Sequence, residues 1–171
     1  MIQRISKAFW LWGQFDPQST NTLKKIKEET HTSLGGPIFE EHITVSGPLK
    51  KQRIGRIASV KKSLHDLKPI TLEVLGYGVK DIYFQSLFLK VKKTKELVLL
   101  KKILDKELGL KTARYFPHIS LFYGNESKDN KHKLIKSLPS APKKLILDKI
   151  SLVDVDENIE SWKIRNKFPL N

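Results

Sequence analysis

Hydrophobic positions along the 171 residues switch between a period of two and a period near 3.6, with Gly or Pro at most of the changes. Ala8–Trp12 is aromatic and apolar and reads as a strand, ended by Asp16-Pro17. Ser19 or Thr20 is placed to cap a helix running to about Thr32, with Leu23, Ile26 and Lys27 setting its period, and Gly35-Gly36-Pro37 breaks it. Phe39–Val45 reads as a strand closed by Gly47-Pro48. Ile54, Ile57, Val60, Lys61, Leu64 and Leu67 then recur at helical spacing. Ile70–Leu75 alternates as a strand, after which Gly76-Tyr77-Gly78 is expected to turn the chain.

The second half repeats the order. Tyr83–Val91 reads as a strand, and Glu96–Leu108 as a helix with Leu97, Leu100, Lys101, Leu104 and Leu108 on one side, stopped by Gly109. Phe116–Tyr123 reads as a strand, Lys131–Leu138 as a short helix, and Leu145–Val153 and Ser161–Lys167 as the last strands. Each half therefore runs strand, helix, strand, helix, strand. The expected class is α+β: one bilobal domain over residues 1–171, with pseudo-symmetric lobes near 1–78 and 79–171 that could exchange strands. Mostly antiparallel sheets would face a central cleft, with helices outside. Long parallel-sheet runs and a glycine-rich phosphate loop are missing, which argues against a doubly wound nucleotide-binding sheet.

The second strand of each half carries the same pattern, His42-Ile43-Thr44-Val45 and His118-Ile119-Ser120-Leu121. Side chains alternate along a strand, so each string turns an imidazole and a hydroxyl to one face and two apolar groups to the other. An approximate two-fold relation between the halves would bring the two strings to one cleft. Imidazole titrates near pH 6.5, so one histidine can act as base while the other acts as acid. Displacement at phosphorus needs that arrangement, and Thr44 and Ser120 can donate hydrogen bonds to the phosphoryl oxygens. Opening a strained cyclic diester requires no metal, and a dinuclear metal site would need carboxylates where only Glu40 and Glu41 are close in sequence. No cofactor is expected.

Composition adds bounds. An apolar content of 39% suffices for a packed core, and the absence of cysteine excludes disulfides, thiolate zinc sites and cysteine nucleophiles. Ala8–Trp12 is too short for a signal-peptide core and no window reaches the length of a membrane span, so a cytoplasmic protein, monomeric and away from membranes, is expected. The formal net charge of +14 fits an anionic partner such as RNA or a phosphorylated nucleotide, and fits a lysine-rich surface equally well.

With these residues in view, the chain resembles the two-histidine phosphoesterase superfamily, and within it the cyclic phosphodiesterases of plants and yeast. The resemblance rests on Ala8-Phe9-Trp10, Phe39–Val45, Phe84–Leu89 and Tyr115–Tyr123. Glu41 stands where that family usually has proline, and Trp12 is an addition. The resemblance implies hydrolysis of a 2′,3′-cyclic nucleotide or of ADP-ribose 1″,2″-cyclic phosphate to a phosphomonoester. His42 and His118 would be the acid–base pair, with His42 as acid if the product is the family's usual 2′-phosphate. Thr44 and Ser120 would bind the phosphoryl group, and Tyr123 and Trp10 would form an aromatic pocket. Tyr123, five residues after His118, reaches the site only if its strand ends or bends before it.

Other residues carry blander readings. His31, His65 and His132 read as solvated, Lys50, Lys51, Arg53 and Arg114 as charges of a solvated loop in preference to a cleft mouth lined for an RNA backbone, and the lysines from Lys92 to Lys102 as a helix surface. Trp12 shares a face with Trp10 and serves equally as a core aromatic or a stacking platform. Two alternatives to a small-molecule cyclic phosphodiesterase remain: an enzyme acting on the cyclic-phosphate ends of RNA, and a non-catalytic RNA-binding module.

Overall fold

The computed structural model describes residues 7–171. Along them run β1 (Ala8–Phe15), α1 (Pro17–Leu34), β2 (Ile43–Leu49), α2 (Ile57–Leu64), β3 (Ile70–Val79), β4 (Leu87–Val91), α3 (Lys95–Leu108), β5 (His118–Phe122), α4 (Lys128–Ser137), β6 (Lys144–Val155) and β7 (Lys163–Pro169). Every strand pairing is antiparallel. The order is β1-β2-β5-β4-β3-β6-β7, and a further β1–β6 pairing closes the first six strands into a circuit. The α+β class and the antiparallel pairing are as expected. The two sheets, however, are hydrogen-bonded into one, because β6 is long enough to pair with β3 through Lys144–Leu147 and with β1 through Leu147–Val155.

Several boundaries move for identifiable reasons. Helix α1 starts at Pro17, with Asp16 accepting the Ser19 N–H at 2.8 Å, so the cap is Asp16 rather than Ser19 or Thr20. Ser19 is buried and its hydroxyl instead accepts the Ile146 N–H of β6 at 2.9 Å. Gly47-Pro48 does not close β2, which continues to Leu49. Gly47 has φ +132°, and a Cβ there would lie 2.6 Å from Trp10, so the glycine admits the indole. Gly76-Tyr77-Gly78 does not turn the chain; β3 bulges between Val74 and Gly76 and runs on to Val79. The reversal comes instead at residues 80–86, where Tyr83–Gln85 form a 3₁₀ turn rather than the start of a strand.

Ile43, Val45, Ile119 and Leu121 all face one core, together with Leu11, Leu87, Leu89, Leu104 and Leu147. Helix α3 packs on β2, α2 on α3, and α1 on β5 and β1. The motif strands meet at the single pair Ile43↔Ile119, both fully buried. Replacing Ile119 by Ala removes apolar volume from the centre of the fold, and we expect a loss of about 2–5 kcal/mol, read as a lowered midpoint in urea unfolding.

Candidate active site

The register Ile43↔Ile119 decides the site. In an antiparallel pair it sets His42 across from Ser120 and Thr44 across from His118, all four on the face opposite the core. Directly opposed side chains have Cβ atoms about 4.5–5.5 Å apart. The four residues expected to act together are thus assembled by one backbone pairing with local two-fold symmetry.

Both histidines are held the same way. His42 Nδ1 lies 2.8 Å from the Glu40 carbonyl oxygen, and His118 Nδ1 lies 2.9 Å from that of Phe116. A carbonyl can only accept, so each Nδ1 carries a proton and each neutral ring keeps its lone pair at Nε2. These partners are main-chain atoms two residues before each histidine, which no side-chain pattern reveals.

The neighbouring strands complete the frame. Trp12 of β1 pairs opposite Thr44, and Phe88 of β4 pairs opposite Ser120, so the two aromatics occupy matching places. Trp12 stacks face to face on His42, with centroids 3.6 Å apart and planes 9° from parallel. Phe88 meets His118 edge-on at 5.5 Å, and Phe116 stacks on the same histidine at 5.5 Å. The aromatic that touches a histidine on the first side is Trp12. Trp10 lies against Gly47 and the cluster of Trp12, Val153 and Val155.

Strand β5 ends at Phe122, and Tyr123 leaves the alternation to join Phe39, Phe84 and Trp162. It stacks on Phe39 at 4.0 Å, with its hydroxyl within reach of the Ser120 side chain. Ser120 Oγ also lies 3.2 Å from the Phe84 carbonyl oxygen. A cavity of about 360 Å³ opens behind Trp12, lined by Phe39, Glu40, Glu41, Ile159 and Trp162.

Buried lysines brace the backbone around the site. Lys27 of α1 donates to the Phe39 carbonyl, lies over the Phe39 ring and pairs with the buried Glu41 carboxylate at 3.5 Å. Lys101 of α3, expected on a helix surface, instead donates to the Val45 carbonyl at 3.1 Å and pairs with the buried Asp105 at 3.1 Å. Asp105 also accepts from Ser46 at 2.5 Å, and Tyr115 donates to the Thr44 carbonyl at 2.9 Å. His31, His65 and His132 are exposed, as are Lys50 and Arg114. Lys51 pairs with Asp154 at 2.7 Å. Among the described residues no group of three His, Cys, Asp or Glu side chains is placed to hold a metal ion, and no helix is long and apolar enough to cross a membrane.

Two motif strands in equivalent settings, each offering an imidazole beside a hydroxyl, define a two-histidine phosphoesterase. The chain belongs to the family of cyclic phosphodiesterase-like proteins, whose profile matches residues 6–170. Among solved structures it is similar to E. coli LigT in apo form, with TM-score 0.69 and 11% identity over 96% of this chain and 98% of that one. It is also similar to TT0787 of Thermus thermophilus, with TM-score 0.65 and 13% identity over 95% and 97%. At these identities the likeness is one of fold. A comparison with curated proteins returns no match.

Burial under Trp12 pushes the His42 imidazole down to about 3, and His118 is lowered as well, first by burial and then by the charge of Lys80. A histidine whose folded value lies below its unfolded one contributes stability that is complete above about pH 6.5 and lost as pH falls towards 3. Between pH 7 and pH 5 the His42 contribution falls by about 2 kcal/mol. In His42→Asn, whose amide can still donate to the Glu40 carbonyl, we expect unfolding free energy to depend on pH more weakly by about that amount.

Proposed function

We propose that the protein is a metal-independent cyclic phosphodiesterase that opens 2′,3′-cyclic nucleotides, or the 1″,2″-cyclic phosphate of ADP-ribose, to phosphomonoesters. The observation that carries this is the pair of imidazoles with Nδ1 tied to a main-chain carbonyl and Nε2 left free, each opposite the hydroxyl of the other strand. A water proton passes to one Nε2 as the water oxygen attacks phosphorus. The leaving ribose oxygen takes a proton from the other Nε2. Thr44, and Ser120 on turning from the Phe84 carbonyl, would donate to the non-bridging oxygens, where charge builds. E. coli LigT has been crystallised with 3′-AMP, with ATP and with NADP+, which supports a nucleotide as the substrate class. RNA ends carrying a cyclic phosphate share the same chemistry, and the net charge of +14 favours them.

His42→Ala and His118→Ala should each lower turnover of 2′,3′-cyclic AMP by roughly 10²–10⁴ while circular dichroism stays native. The wild-type rate should survive a chelator. Full activity in either variant, or strict dependence on added metal, would overturn the mechanism.

Burial also bears on which histidine is acid. Analogy with a 2′-phosphate product gives that role to His42, yet His42 is the more deeply buried ring and the harder to protonate. We infer the reverse, with His42 as base and His118, partly open to solvent, as the acid that takes its proton when the anionic substrate arrives. An aryl phosphodiester with a nitrophenolate leaving group needs no general acid. His118→Ala should therefore lose far less rate on it than on the cyclic nucleotide, whereas His42→Ala should lose similar amounts on both. The opposite pattern would restore the assignment by analogy.

A further inference from the structure

Lys80 begins the reversal between β3 and β4 and is held beside His118 from several directions. Its Nζ lies 4.0 Å from the centroid of the Phe116 ring, the same ring that stacks on His118, and 3.0 Å from Gln85 Oε1. Beneath it, the amine of Lys131, on α4 and 1% exposed, donates to the Lys80 carbonyl at 2.8 Å and to Ser86 Oγ at 3.2 Å. A buried amine bonded to that loop carbonyl helps fix where the loop carries its own charge. Among the described residues no carboxylate lies within ion-pair distance of Lys80; its neighbour Asp81 pairs with Lys128 at 2.8 Å. The cation is therefore placed but not neutralised, next to the site and near Phe116, which is 43% exposed.

Resting on the hydrolase function proposed above, we propose that Lys80 anchors an anion subsite for a second phosphate of the substrate, on the 5′ side of the ribose that bears the cyclic phosphate. The reacting phosphoryl group already has two imidazoles and two hydroxyls around it, and Lys80 stands outside that set, over Phe116. Occupation of the subsite also assists the chemistry. The charge of Lys80 is one cause of the lowered His118 value, so an anion seated against it makes His118 easier to protonate.

The test compares wild type, Lys80→Gln and Lys80→Arg on three substrates: adenosine 2′,3′-cyclic phosphate with a free 5′-hydroxyl, the same compound with a 5′-phosphate, and a dinucleotide ending in the same cyclic phosphate. Lys80→Gln should lose kcat/KM on at least one of the two longer substrates by about tenfold more than on the 5′-hydroxyl form. Lys80→Arg should keep most of that difference. The longer substrate with the greater loss tells a terminal phosphate from an internal phosphodiester. An equal loss on all three would overturn the subsite. Calorimetric binding of adenosine 2′-phosphate and adenosine 2′,5′-bisphosphate makes the same comparison without turnover. Absence of hydrolysis in the wild type would therefore count against the enzyme function alone, while the binding difference still decides the subsite.

Discussion

Ile43 and Ile119 face each other across β2 and β5, and their pairing is the only register match between those strands. Both side chains are fully buried, so a slip of either strand by one residue would turn that strand's histidine and hydroxyl into the core and its two apolar groups into the cleft. The cost of burying an imidazole and a hydroxyl without partners specifies this register strongly. The geometry of the candidate site and the hydrophobic core are consequently one constraint seen from two faces of the sheet. The local two-fold axis of an antiparallel pair passes between the two isoleucines, which is why the site is symmetric although the two halves differ in sequence.

A short pairing is a weak hinge unless the flanking backbone is held, and three helical lysines hold it. Lys27 grips Phe39 and Glu41 just before His42, Lys101 grips Val45 just after Thr44, and Lys131 grips Lys80 and Ser86 beside the strand that faces Ser120. Each long side chain crosses from a helix to a main-chain carbonyl in or beside the strands that frame the site. Removing such an amine would leave a buried carbonyl or carboxylate unsatisfied. Part of the positive charge that suggested an anionic partner is therefore internal bracing, and the net charge overstates what the surface offers to RNA.

Much of the fold was legible because apolar period and punctuation agreed. Helix α3, capped by Thr94 and closed by Gly109 in the left-handed region, lies within a residue of its expected bounds. The motif residues were legible because strand alternation alone puts His beside hydroxyl. What stayed hidden depends on the third dimension. Gly47 and Gly78 read as chain reversals, but their missing side chains make room for Trp10 and Phe88 within strands. Trp12 could not be ranked above Trp10 until the β1 register set it opposite Thr44. Lys101 reads with the lysines of a helix surface because one sequence cannot show which carbonyl lies within reach of a helix.

The symmetry is broken where the chemistry needs it to be. Equivalent positions on β1 and β4 hold Trp12 and Phe88, but the indole covers the His42 ring at 3.6 Å, whereas the phenyl meets His118 only by its edge at 5.5 Å. Two imidazoles with identical environments would share one titration and compete for the same proton. Covering one ring more fully separates them. In the proposed mechanism His42 stays a neutral acceptor, while His118 is partly open to solvent and to the anion proposed to sit against Lys80. Acid–base catalysis by a pair of like groups requires such a difference in environment. Here tryptophan against phenylalanine at a matched strand position contributes to it, together with Phe39 against His42 and Lys80 beside His118.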